Sequence, residues 1–335
     1  MGRAHTAFAS GMSGGPSFIG QDAAWREWTG AIESERMHHA WLLSGAKGLG
    51  KRAFARAAAA ELVREPGSKT PDPLTHPDVH ILEHLPANDD EAKKKADGKP
   101  FQTKRNITID QVRRMQQRLT TRPTLGSRRA IVIDPADDLE KNAVNALLKS
   151  LEEPPVGTYF LLVTHQPGRL LPTIRSRCRI LRFAALGADE LDAVIRRDVP
   201  EADSASREAA ISAAQGSPGM ALTFVEQDLG RIHELMLRIL HEGDADYHLR
   251  GALADEMGAR PTRERQVAAL ELARSVLVSE LAGSSRARQL RIIEAHGTLS
   301  KISMQAPTYN FDAGLLIMEI GGLLASTAMP RETAR

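Results

Sequence analysis

The sequence predicts an α/β protein: a parallel sheet covered by helices up to about residue 183, then a small helical module and a larger helical domain. Three observations predict it. Short apolar runs with the length of buried parallel strands recur at Trp41–Ser44, Val79–Leu82, Ala130–Asp134 and Tyr159–Thr164, with a last one inside Ile174–Phe183. Amphipathic stretches separate these runs, and that alternation implies a sheet with helices on both faces. Beyond Ala184 the strand-like runs stop and helical periodicity alone remains.

Residues 1–17 are small and polar and read as a flexible tail. Met1-Gly2-Arg3-Ala4-His5-Thr6 also fits the loose myristoylation pattern, and no apolar core of a signal peptide is expected there. Phe18 to Arg36 is helical in pattern, and Trp41–Ser44 leads through a glycine-rich loop into the alanine-rich helix Ala53–Val63. Residues 64–78 are rich in Pro, Asp and Thr and read as a loop. The charged segment 88–104 reads as a solvated mobile loop, with Lys93-Lys94-Lys95 as an alternative DNA-phosphate patch. Thr108 and Gln111 form a capping box that opens a helix with Ile109, Val112, Met115 and Leu119 on its apolar side. Leu139 to Glu153 is strongly amphipathic, with Leu139, Ala143, Leu147 and Leu151 on one stripe, and Pro154-Pro155 stops it. Helices follow at Leu191–Ile195 and 207–226, then at 231–241, 263–282, 286–304 and 312–326.

A chain of 335 residues has room for two or three such domains. Its formal net charge of +2 is too small to mark a stand-alone nucleic-acid-binding protein. Its single cysteine, Cys178, excludes an intrachain disulfide and a Cys-rich zinc site. No apolar run approaches a membrane span, so no membrane partner is expected.

The chemistry concentrates in Gly45-Ala46-Lys47-Gly48-Leu49-Gly50-Lys51-Arg52, between a strand and a helix. In the pattern G-x-x-x-x-G-K-[ST], glycines let backbone N–H groups close on phosphate oxygens. The lysine contacts the outer phosphates, and the final hydroxyl ligates Mg²⁺. Gly45, Gly48, Gly50 and Lys51 are present, but Arg52 replaces the hydroxyl with a permanent cation that repels a metal. The second half of such a site is a strand ending Asp-Glu, and this chain has Asp134-Pro135, without the general base. Hydrolysis at this loop is therefore not expected, no metal ligands are assigned, and nucleotide binding by the surviving groups is not expected either. His76, His80 and His84 recur every four residues across a loop and strand, a spacing that converges poorly on one ion, so they read as surface or strand-flanking residues.

Three longer runs go further: Arg36-Met37-His38-His39-Ala40-Trp41-Leu42-Leu43, Asn145-Ala146-Leu147-Leu148-Lys149-Ser150-Leu151-Glu152-Glu153-Pro154-Pro155, and Leu170-Leu171-Pro172-Thr173-Ile174-Arg175-Ser176-Arg177-Cys178. In these the chain resembles the clamp-loader branch of the AAA+ ATPases, with landmarks spread over residues 18 to 183. Its Asp134-Pro135 makes it similar to the delta-prime-type subunits of bacterial DNA polymerase III, not to the ATP-hydrolysing gamma/tau type. The resemblance implies an α/β AAA+ (P-loop NTPase-like) domain over 18–184, a small helical lid domain over 185–229 and a helical collar domain over 230–335. Gly219 of Gly216-Ser217-Pro218-Gly219 stands where ATPase members carry a sensing arginine, and Thr164 matches a residue that senses the γ-phosphate. The zinc module of many relatives looks absent from 64–75.

The resemblance also implies a role for Arg177, since the family's Ser-Arg-Cys arginine reaches into the neighbour's ATP site. A guanidinium there offsets charge that develops on phosphoryl transfer. On the residues alone, Arg177 could instead neutralise a helix C-terminus, as could Arg175 or Arg179, while Ser176 and Cys178 read as packing residues. The implied protein is a cytoplasmic subunit of a hetero-oligomeric ring, without activity or cofactor of its own. ATP and Mg²⁺ belong to the neighbouring site, the partners are gamma/tau and delta subunits, and the β sliding clamp and primed DNA are reached indirectly. A gamma/tau-like ATPase, or another AAA+ enzyme, is the alternative.

Overall fold

A computed structural model describes residues 18–34, 37–65, 67–99, 101–306 and 311–328 of the chain. The expected tail at 1–17, Arg36 of the first family run and residues 329–335 lie outside the described residues. The chain divides into two compact units, Met1–Ala185 and Leu186–Arg335.

The first unit runs α1 (Asp22–Glu33), β1 (Ala40–Ser44), α2 (Lys51–Val63), β2 (Val79–Leu82), α3 (Asp89–Ala96), α4 (Ile109–Leu119), β3 (Arg129–Ile133), α5 (Lys141–Glu152), β4 (Thr158–Thr164), α6 (Pro172–Arg175) and β5 (Arg179–Arg182). The five strands form one parallel sheet in the order β2-β3-β4-β1-β5. The alternation expected of strands sorts their residues onto two faces. Trp41, Leu43, Val132, Leu161 and Val163 pack with α1 and α2 through Trp28, Phe54, Ala58 and Leu62. Ala40, Leu42, Ile131, Ile133, Phe160 and Leu162 pack with α4 and α5 through Val112, Met115, Leu147 and Leu151. Each large side chain buried this way contributes roughly 1.5–3 kcal/mol, well above the few tenths per residue from helix propensity. Packing therefore holds α2 in place more than its alanines do. Trp28 is fully buried because its indole N–H donates to the Ala58 carbonyl at 3.2 Å.

The N-terminal edge of the sheet is fixed by a buried ion pair. Asp78, just before β2, accepts backbone N–H bonds from Thr124 (2.6 Å) and Leu125 (2.8 Å). Arg129, the first residue of β3, has its Nε 3.8 Å from Asp78 Oδ1 and donates to the carbonyls of Arg118, Thr121 and Arg122 at 2.8, 3.1 and 2.8 Å. Both side chains are almost wholly buried. Together they pin residues 118–125 against the strand starts.

The segment 88–104 is not only a loop. Asn88 accepts from the Glu91 N–H at 3.0 Å and caps α3. Four of its lysines are paired: Lys93 to Asp90, Lys94 to Glu91, Lys95 to Glu83 and, beyond the helix, Lys99 to Asp97.

The second unit contains helices alone among its described residues: α7 (Ala188–Asp198), α8 (Ser204–Ala214), α9 (Pro218–Glu226), α10 (Gly230–Glu242), α11 (His248–Met257), α12 (Arg263–Ser279), α13 (Arg286–Gln305) and α14 (Ala313–Ser326). The helix expected over 207–226 is two helices. Gln215 and Gly216 adopt positive φ (48° and 81°), Ser217 caps α9 by accepting from the Met220 N–H, and Pro218 starts it. Helix α11 has no counterpart in the sequence reading. Its first turn is held by Asp244, which accepts from the N–H groups of Leu249 (2.9 Å) and Arg250 (3.0 Å) and pairs with Arg250 Nε at 2.7 Å. Arg250 in turn requires Gly321 on α14, where a Cβ would meet its side chain. The helices of 185–229 and 230–335 share this unit; Ser275 on α12 donates to the Ala213 carbonyl on α8 at 2.7 Å.

Candidate functional site

The glycine-rich loop leaves the C-terminal end of β1 and closes onto α2. Gly45 is required by close approach, since a Cβ there would lie 2.7 Å from the Phe183 carbonyl oxygen after β5. Gly45→Ala is therefore expected to destabilise the first unit by about 1–3 kcal/mol, read as a fall in the urea midpoint. Gly48 and Gly50 have φ of 84° and 80°, which glycine adopts without strain, and Gly50 is the N-cap of α2.

Lys51 is 2% exposed, and its ammonium donates to the carbonyls of Gly45 (2.7 Å) and Ala46 (2.5 Å). Burial pushes its pKa down to about 8, against the opposing pull of Asp134 and Asp137. Arg52, next along α2, donates from Nε to Asp134 Oδ2 at 2.5 Å; Asp134 is 5% exposed and Arg52 55%. The structure thus joins the two positions that would hold Mg²⁺, the loop's last residue and the aspartate after β3, in an ion pair. These residues do not fit the metal: one is a cation, and the other is already bound to that cation.

Asp137, absent from the sequence reading, forms the rest of this strand-end cluster. It accepts from Thr164 Oγ1 at 2.6 Å, from the His165 N–H at 2.6 Å and from the Gln166 N–H at 3.3 Å. The end of β4 is thereby bound to the turn after β3, with Thr164 fully buried. Burial, with Lys51 nearby, lowers the His165 pKa. Pro135 follows Asp134 and brings no acid or base. Gly219 lies in the first turn of α9, in the second unit. The three histidines go separate ways: His76 accepts from the Asp78 N–H, His80 meets Arg118, and His84 lies 3.2 Å from Asp138.

Arg177 is not part of this cluster. It precedes β5, at the N-terminal edge of a parallel sheet whose C-terminal edge carries the loop, and Trp41 pairs with Arg179 while Ser44 pairs with Arg182. At about 3.3 Å per residue, β5 alone separates the two by roughly 10 Å or more. Arg177 donates to the Thr173 carbonyl (2.9 Å) and to Glu152 Oε1 (2.7 Å), and its side chain stays one-third exposed. Its neighbours have other employment. Arg179 pairs with Glu27 at 2.8 Å and lies over the Trp41 ring at 4.8 Å. Burial pushes the Cys178 thiol up to about 12, which leaves it without thiolate character at neutral pH. The sequence reading missed Glu152 as a partner, although it lies within the Ser150–Pro155 run.

The family model described as "DNA polymerase III, delta subunit" matches residues 20–187. DNA polymerase III subunit delta' of Pseudomonas aeruginosa is 35% identical over 59% of this chain and 58% of its own length. The delta' subunit of Escherichia coli (strain K12) is 30% identical over 63% of this chain and 61% of its own. DNA polymerase III subunit gamma/tau of Mycobacterium tuberculosis is 28% identical over 62% of this chain and 36% of its own. The matched part of the chain thus spans less than two thirds of the length of these relatives. No helix among the described residues is long and apolar enough to cross a membrane. With a family-model match over residues 20–187, half of its length, on the five-stranded parallel sheet and glycine-rich loop described above, the chain belongs to the DNA polymerase III delta-subunit family, whose matching relatives include delta' subunits.

Proposed function

We propose that this chain is a non-hydrolysing, delta-prime-like subunit of a cytoplasmic bacterial clamp loader. It supports a hetero-oligomeric ring with gamma/tau and delta subunits and completes a neighbouring gamma/tau ATP site with Arg177. Through those partners it serves the placing of the β sliding clamp on primed DNA.

The observation that carries this reading is the 2.5 Å pair between Arg52 and Asp134. It occupies both positions of the metal site, and Pro135 leaves that site without a base. The position of Arg177 supports the second half of the reading. Its guanidinium emerges at the sheet edge opposite its own loop, one-third exposed and out of reach of that loop, as a residue serving another chain requires. In the second unit, Leu290, Ile293 and Met304 are exposed on one face of α13, a stripe suited to helices of neighbouring subunits.

The test is reconstitution with gamma/tau and delta subunits, alongside nucleotide titration of the isolated chain with and without Mg²⁺. The isolated chain is expected to show no Mg²⁺-dependent ATP hydrolysis; such hydrolysis would make it a gamma/tau-like motor. Lys51→Ala is expected to change clamp-loading rates by less than about two-fold, because the ammonium is already spent on the loop's own carbonyls. A loss as deep as that of an Arg177 variant would mean that the loop holds a necessary nucleotide.

A further inference from the structure

Glu152 is the last residue of α5, a helix that runs back against the strands and ends at the sheet edge from which Arg177 emerges. The backbone on both sides of their contact is fixed by the core. Leu151, just before Glu152, and Ile174, three residues before Arg177, are buried in the same apolar cluster. The Leu151 carbonyl is also 3.0 Å from His39 Nε2, which ties the end of α5 to the start of β1. Outside this fixed frame the two side chains meet at 2.7 Å, Arg177 one-third and Glu152 half exposed.

A guanidinium has five N–H donors. The Thr173 carbonyl takes one on Nη1 and Glu152 takes one on Nη2. These two bonds leave Nε–H and one N–H on each terminal nitrogen for a further acceptor, on a side chain that is one-third exposed. An arginine side chain loses rotamer entropy when it is ordered, and a finger already held in one orientation loses less of it in the transition state. Protein kinases use the same device, a glutamate that holds the phosphate-contacting lysine in place.

We propose that Glu152 is the positioning residue of the trans-acting arginine. It holds the Arg177 guanidinium, together with the Thr173 carbonyl, in the orientation that meets the outer phosphate of a nucleotide bound by the neighbouring subunit. This rests on the reading of Arg177 as a finger. Glu152 touches neither nucleotide nor reacting atoms and acts only through Arg177.

The experiment measures ATP turnover and its dependence on ATP concentration in the reconstituted complex with clamp and primed DNA. It compares Glu152→Ala, Glu152→Gln, Arg177→Ala and the double variant Glu152→Ala/Arg177→Ala. An exposed pair of this kind predicts a fall in kcat of about two- to five-fold for Glu152→Ala, with KM for ATP unchanged. Glu152→Gln keeps the shape and one acceptor oxygen and falls in between, which also guards against misfolding of the alanine variant. The double variant is expected to equal Arg177→Ala alone, because a residue that acts only through Arg177 has nothing left to position. Additive losses, an unchanged rate in both Glu152 variants, or a faster rate would overturn the proposal while leaving the finger intact. If Arg177→Ala itself leaves turnover unchanged, the finger reading fails and this inference falls with it.

Discussion

On the proposed reading, Arg177→Ala is expected to leave the subunit folded and assembled but to lower turnover at a neighbouring ATP site by about 10³-fold, the lower end of the range for arginine fingers. The reason is geometric. The side chain is bound only at its periphery, to one carbonyl and one half-exposed carboxylate, so its removal leaves no buried group unpaired. A large stability loss is therefore not expected, and a rate loss is attributable to missing positive charge in the transition state. Clamp-stimulated ATPase of the reconstituted complex is the measurement, with size-exclusion of the complex as the assembly control. Arg179→Ala gives the opposite profile. Its pairing with Glu27 and its place over Trp41 make it part of the framework, so its replacement shows in the melting curve. Unchanged turnover in Arg177→Ala would show that its bonds to Thr173 and Glu152 are its whole purpose.

Asp78→Asn is expected to cost about 3–5 kcal/mol, as breaking one side of a buried pair does, because Arg129 would then be left charged and buried without its counter-ion. The effect depends on pH in a defined direction. Burial alone would raise the Asp78 pKa, but the backbone N–H groups of Leu125 and Thr124, the Thr124 side chain and Arg129 outweigh it and hold the carboxyl below its usual value. A depressed folded-state pKa means that the stabilisation is fully present above the unfolded value of about 3.9 and is lost as pH falls through the lower folded value. The gap between wild type and Asp78→Asn in urea denaturation should therefore be widest at neutral pH and narrow steadily below about pH 4. A gap that stays constant from pH 7 to pH 3 would show that hydrogen-bond geometry, and not the carboxylate charge, is what the site supplies.

The sheet was legible because each strand is a short continuous apolar run, and every run identified in the sequence falls on an observed strand. Three helices were not legible: α6, only four residues long, and α3 and α11 for different reasons. Helix α3 buries only Glu91 and is held by the Asn88 cap and local ion pairs, so it carries no apolar period to detect. Helix α11 carries Gly251 at its centre and buries just Leu249, Leu253 and Met257, a stripe too thin to stand out beside the longer helices. The break between α8 and α9 was written in Gly216-Ser217-Pro218, but the alanines before it continue the helical pattern smoothly.

The candidate site was half legible. The loop residues are contiguous, so Gly45, Gly48, Gly50, Lys51 and the anomaly at Arg52 could be read directly. What no local pattern shows is that Arg52 finds Asp134, that Asp137 holds the end of β4, or that Glu152 receives Arg177. Each of these contacts joins residues brought together only when the sheet assembles.

A metal ion reaches a carboxylate by mass action, so its hold rises and falls with the free-ion concentration. The guanidinium of Arg52 is carried on the same chain, 82 residues from Asp134, and has no dissociation constant and no supply to run short. Chelation or depletion of Mg²⁺ leaves the charge balance at the end of β3 where it was. The pair ties the first turn of α2 to the end of β3, which makes it a mechanical contact where an ATPase would keep a chemical one.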